Sequence, residues 1–133
     1  MKNLLFIILL ATSLFSANLD WPSDYDQALV DAKKQDKLIY LFITSDNCKW
    51  CKKFVNTTLQ DVEIKKRLHS EFIAIHMSRD EHTIPKQFET APVPRHYFTD
   101  TEGNILYSSL GHRGLPCFNA FMDNAQEQVD FNK

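Results

Sequence analysis

Cys48-Lys49-Trp50-Cys51 sets two thiols three residues apart, where the apolar run Leu38-Ile39-Tyr40-Leu41-Phe42-Ile43 gives way to a helical pattern. A strand that delivers such a pair to a helix start makes a thiol reactive. Unpaired N–H groups and partial positive charge at the helix end stabilise a thiolate. Lys49, between the cysteines, tunes the thiol in the same sense. The chemistry this predicts is thiol–disulfide exchange. Cys48, exposed at the helix start, is the expected nucleophile; Cys51, one turn on and more buried, resolves the mixed disulfide. Trp50 reads either as part of an apolar rim for a substrate chain or as a packing contact for the loop at Pro94. Lys52 and Lys53 read as solvated helix-face charges.

Other uses of the pair fit less well. A fixed disulfide across a two-residue spacer closes a tiny loop and adds little chain-entropy stabilisation. Zinc needs four ligands, and one pair with no neighbouring His cluster supplies two. Haem attachment needs His directly after the second cysteine, where Lys52 stands. No metal and no cofactor beyond the Cys48–Cys51 couple is expected. Cys117, in the first turn of the last predicted helix, reads as a small, partly buried thiol. The alternative is a reactive thiol available for dimerisation or substrate capture. The five histidines are scattered. His96 stands out because it follows Pro94, while His112 and Arg113 fall in a loop.

The elements that position these residues are legible as patterns. Ser23 offers an N-cap to a helix running to about Lys34, with Tyr25, Ala28, Leu29 and Ala32 at helical spacing. Lys37 to Thr44 does not alternate and reads as a strand buried on both faces. The helix begun at Cys48 turns Cys51, Phe54, Val55 and Leu59 inward. Asp61 caps a second helix with Val62, Ile64 and Leu68 on one side. Phe72 to Met77 is a second buried strand, and the order strand–helix–strand implies a parallel pair. A possible short helix covers Pro85 to Glu89. Tyr97-Phe98 and Ile105-Leu106-Tyr107 flank Asp100-Thr101-Glu102-Gly103-Asn104, a hairpin turn. A last helix from Pro116 carries Phe118, Phe121, Met122, Ala125 and Val129 as its apolar stripe.

The bulk properties set the compartment and the size. Lys2, the apolar stretch Leu4 to Ala11 and the small residues near Ala17 have the layout of a secretory signal peptide over residues 1–17. An uncleaved membrane anchor is the alternative. Residues 18–133 then form a single domain of about 116 residues, long enough for a real core. Lys and Arg number 15 against 17 Asp and Glu, scattered together, so no basic nucleic-acid face is present. Three cysteines cannot all pair within one molecule. Export places them where disulfides persist, so a reduced pair there needs an electron source.

The order of these motifs resembles the thioredoxin superfamily. The residues that carry the resemblance are Cys48-Lys49-Trp50-Cys51 after the first buried strand and Val93-Pro94 before Tyr97-Phe98-Thr99-Asp100 and Gly103. Ala28 to Lys34 and Asp61-Val62-Glu63-Ile64 fit its exported bacterial branch. The resemblance implies a thioredoxin fold, α/β, with a mixed central sheet of parallel strands plus a C-terminal antiparallel hairpin, flanked by helices. It further implies that Pro94 is cis and lies against the cysteine pair, with Val93 presenting its backbone to a substrate strand. The implied activity is that of a periplasmic thiol:disulfide oxidoreductase, leaning to reductase or isomerase. Its partners would be exported thiol- or disulfide-containing proteins and a membrane thiol electron donor. A disulfide-donating oxidase, a copper or zinc carrier on the same thiolates, and a non-catalytic interaction domain are the alternatives. Asn47 and Lys49-Trp50 depart from the ordinary thioredoxin pattern. So does Phe42, where thioredoxins keep a buried Asp, which leaves no evident proton acceptor for Cys51.

Overall fold

The computed structural model describes residues 19–131, so the leader expected over residues 1–17 lies outside the described residues. Helix α1 (Tyr25–Gln35) is capped by Asp24, whose carboxylate accepts the Gln27 N–H at 3.0 Å. The cap sits one residue later than the Ser23 expected. Either side chain offers an oxygen to the first turn, and burial of Tyr25, Ala28 and Ala32 sets the register that selects Asp24.

Strand β1 (Leu38–Thr44) is buried at every residue. It lies inside a four-stranded sheet of order β2-β1-β3-β4, with β2 (Phe72–Ser78), β3 (Arg95–Thr99) and β4 (Ile105–Leu110). β1 and β2 run parallel from Leu38↔Phe72 to Thr44↔Ser78; the other two pairings are antiparallel. The class is α/β with a mixed central sheet, as expected. Alternate β1 side chains face opposite ways. Tyr40 and Phe42 pack with Phe54, Phe98 and Phe118 on one face, and Ile39, Leu41 and Ile43 pack with Ala28, Ala32 and Ile75 on the other. Two covered faces account for the unbroken apolar run. Each large apolar side chain so buried contributes about 1.5–3 kcal/mol relative to exposure.

β2 is less covered than the second buried strand that its composition suggests. It forms an edge, and Ile73, Ala74 and His76 are only half-buried because, among the described residues, β1 is its only strand neighbour. The incoming chain touches that edge, where the His76 N–H donates to the Pro22 carbonyl at 3.0 Å.

Helix α2 (Lys49–Asn56) leads through a 3-10 turn (Thr58–Gln60) into α3 (Val62–Glu71). Asp61 caps α3 by accepting the Glu63 and Ile64 N–H groups, each at 3.0 Å. Ile64 and Leu68 are buried, but Val62 is 75 % exposed. As the first residue of the helix it points off the stripe set by Ile64 and Leu68. Residues 85–89 form a turn rather than a helix, closed by the Phe88 N–H on the Pro85 carbonyl at 3.0 Å. Phe88 is buried against Tyr25 and Tyr97.

Asp100 organises the β3–β4 hairpin, accepting the Glu102 and Asn104 N–H groups at 2.9 Å each. Gly103 follows with φ 88°. Helix α4 (Leu115–Phe131) covers the Phe42 face with Phe118, Phe121, Met122 and Ala125. Arg67 joins α3 to α4, donating to Asp123 at 2.9 Å and to the Asn119 side chain at 3.1 Å while paired with Glu71 at 2.7 Å.

Candidate active site

β1 ends at Thr44, and a short connection brings the chain to Cys48, the N-cap of α2. Cys48 and Cys51 form a disulfide with an S–S distance of 2.07 Å and Cα atoms 5.2 Å apart. The Cys51 N–H donates to Cys48 Sγ at 3.1 Å. That contact is the one a helix start offers a thiolate, so the local backbone is already arranged to hold negative charge on Cys48. Cys48 is 7 % exposed, less open than expected from its position. Its sulfur is tied to that of Cys51, and both residues line a cavity of about 270 Å³ shared with Thr44, His76 and Glu81.

Trp50 is 49 % exposed. It stacks on His112 with ring centroids 6.4 Å apart, and Lys49 Nζ and Lys53 Nζ lie 5.1 and 5.2 Å from its centroid. Its packing partner is thus the connection between β4 and α4, whereas the sequence offered the loop at Pro94. Lys53 is correspondingly more than a solvated charge. His112 is held below the ordinary imidazole value by burial and by Lys53, and its Nδ1 has no hydrogen-bond partner among the described residues.

The turn before β3 contains two cis peptides, Ala91–Pro92 and Val93–Pro94. Arg95 stitches it together: Nε donates to the Pro92 carbonyl at 3.0 Å, one Nη to the Ala91 carbonyl at 2.9 Å, and the other pairs with Glu89 at 2.9 Å. Pro94 is buried, and its carbonyl accepts the Gly111 N–H at 2.8 Å. Ile43 pairs with Arg95 across β1 and β3. The connection to Cys48 and the turn at Val93-Pro94 therefore leave the same end of the sheet.

Beneath the site lies an aromatic layer built around Phe42. Phe42 lies between His76 of β2 and His96 of β3, its partners in register, with ring centroids 5.6 and 5.5 Å away. His96 is fully buried. Its Nε2 lies 2.8 Å from the Gly111 carbonyl, which can only accept, so Nε2 carries the proton and the Tyr40 hydroxyl donates to Nδ1 at 2.7 Å. Burial lowers its pKa to about 4 despite the Gly111 hydrogen bond, which acts in the opposite sense. Burial also pushes the Tyr40 hydroxyl well above its ordinary value. His76 shares a 2.7 Å hydrogen bond with Thr44 Oγ1, and its pKa is lowered by burial and then by His82.

His96, singled out in the sequence by its place after Pro94, joins this layer, whereas His76 escapes a reading by motif. The one local signal for His76 is a polar residue within the largely apolar run Phe72 to Met77, and only strand register brings the two histidines to Phe42. Cys117 is a free thiol and is exposed, not partly buried. It falls beside the stripe of Phe118, Phe121, Met122 and Ala125 that faces the core. Among the described residues no group of three or more His, Cys, Asp or Glu side chains is placed to hold a metal ion.

Comparison with known proteins bears on the same segment. The family model Thioredox_DsbH, described as "Protein of unknown function, DUF255", matches residues 11–92. "Disulfide bond reductase DsbH" of Chlamydia pneumoniae is 32% identical over 104 residues, 68% of this chain. The chain spans 62% of that relative's length. A solved "DsbH Oxidoreductase" aligns with a TM-score of 0.58 at 24% identity, covering 98% of this chain and 94% of the other. A thioredoxin from Thermus thermophilus aligns with a TM-score of 0.64 at 16% identity, covering 78% and 85%. Likeness at these identities establishes the fold, a thioredoxin fold. The family model, running through the disulfide as far as the double-proline turn, establishes the kinship: the chain belongs to the Thioredox_DsbH (DUF255) family of the thioredoxin superfamily.

Proposed function

We propose that this protein is an exported thiol:disulfide oxidoreductase that works in the periplasm as a reductase or isomerase of protein disulfides. The observation that carries the reading is the disulfide at the start of α2, with the Cys51 N–H directed at Cys48 Sγ. In the reduced protein the Cys48 thiolate attacks a substrate disulfide, and one substrate sulfur leaves and takes a proton. Cys51 then loses its proton and attacks Cys48 Sγ. The second substrate sulfur leaves, and the Cys48–Cys51 disulfide returns. Two electrons pass from the dithiol to the substrate, and two thiols are released.

Trp50 and the backbone at Val93-Pro94 form the substrate-binding rim, and Lys49 favours the thiolate. No bound cofactor takes part. Because the reduced state is consumed on each turnover, a membrane thiol donor restores it, and exported thiol- or disulfide-containing proteins are the substrates. The reducing direction is supported by the name of the Chlamydia pneumoniae relative, a disulfide bond reductase.

Insulin-disulfide reduction tests the activity. The wild type should turn over, Cys48→Ser should lose turnover, and Cys51→Ser should accumulate a mixed disulfide at Cys48. Turnover retained in Cys48→Ser would exclude the dithiol mechanism. Equilibration with glutathione tests the direction. A potential near that of thioredoxin, about −270 mV, is expected, whereas one near −120 mV would identify an oxidase.

A further inference from the structure

Resolution of the mixed disulfide requires Cys51 to give up a proton, and Cys51 is buried. Burial in apolar surroundings disfavours a thiolate. Phe42 cannot accept a proton, and its whole side chain is sealed among aromatic rings. His96 has both ring nitrogens committed, to Tyr40 and to Gly111, and does not line the cavity at the disulfide. His76 does line it, together with Cys51. One of its nitrogens bonds to Thr44, and the other makes no hydrogen bond to the described residues. The cavity, about 270 Å³, is walled partly by polar groups and has room for several waters.

We propose that His76 is the proton acceptor for Cys51, reached through water in the cavity that the two residues share. The inference rests on the dithiol reading above. In the resolving step the Cys51 S–H gives its proton through water to the neutral His76 imidazole. The Cys51 thiolate then attacks Cys48 Sγ, the substrate thiolate leaves and is protonated, and the imidazolium returns its proton to solvent. Electrons move only between sulfurs. The titratable groups around His76 are Cys48, Cys51 and Lys52 from α2, Asp46 from the connection before it, and Glu81 and His82 after β2. Asp46 accepts the Ser78 hydroxyl at 2.9 Å, and Glu81 is exposed. Burial and His82 keep His76 neutral across the neutral range, so it is available as a base there.

The test is the two-phase reaction of the reduced full chain with dithiobis(nitrobenzoate), every protein carrying Cys117→Ser so that the exposed third thiol releases none of the dye. Cys48 releases the first thionitrobenzoate and Cys51 the second. His76→Gln should keep the first phase, which also reports an intact fold. Its second phase should slow ~100-fold at neutral pH and rise tenfold per pH unit where the wild type is flat. Added imidazole should restore the second phase in His76→Ala, and Glu81→Gln should behave as wild type. The proposal is overturned if the second phase of the His76 variants matches wild type at every pH. It is equally overturned if their loss is parallel in pH and unrescued by imidazole, or if Glu81→Gln takes the loss instead. A Cys117→Ser protein, otherwise wild type, that releases only one thionitrobenzoate would sink the dithiol reading, and the relay with it.

Discussion

His96 is a base that folding keeps uncharged. In the unfolded chain its imidazole protonates near 6.5, and in the fold near 4, because burial strips the imidazolium of its solvation by more than the Gly111 hydrogen bond restores. Above 6.5 both states are neutral and the protein has its full stability. As pH falls from 6.5 to 4, the unfolded state gains a proton that the native state refuses, and roughly 3 kcal/mol of stability drains away. His76, also lowered, acts in the same direction. Urea midpoints measured between these limits should fall steadily in the wild type and much less in His96→Gln. A wild-type midpoint that does not move with pH would contradict this account of His96.

Turns and caps govern how the elements meet, and two glycines separate conformational from steric demand. Gly103 and Gly111 both hold positive φ, 88° and 93°. A Cβ on Gly103 would come within 2.8 Å of Tyr25 Oη, whereas Gly111 faces open space. Gly111→Ala should therefore cost about 1 kcal/mol, the strain of a left-handed Ala alone. Gly103→Ala should cost distinctly more, since the α1–hairpin contact must also give way; chemical denaturation of the two variants reads the difference. Signals of this local kind were visible in the chain itself. The apolar run of β1, the Asp61 cap, the Asp100–Asn104 turn and the α4 stripe all act over a few residues. What escaped depends on neighbours distant in sequence. β2 reads as a buried strand, and its partner order makes it a half-buried edge. The Phe42–His76–His96 row exists only through register across three strands. The Cys48–Cys51 pairing was legible because its spacing is local, whereas the His112 contact of Trp50 was not.

At the scale of the whole molecule, charge contributes little to holding the fold. The formal net charge is −2, and Lys33–Glu102 joins two largely exposed side chains. Such pairs are worth about 0–1 kcal/mol. The two apolar layers on either side of β1 carry the stability instead, and the site is mounted where that strand ends. The chain's two tryptophans are divided between these roles. Trp21 lies edge-on to Tyr40 at 5.9 Å, in the wall of the core, while Trp50 sits between the two cysteines. A disulfide quenches an excited indole by accepting an electron, and a dithiol does so far less. The protein thus carries a built-in optical reporter of its own oxidation state. Reduction should brighten its emission, and Trp50→Phe should abolish the change while Trp21 continues to register only unfolding. If the signal survives in Trp50→Phe, the light comes from the core and not from the site. With Trp50 in place, each turnover of the disulfide can be watched without a dye.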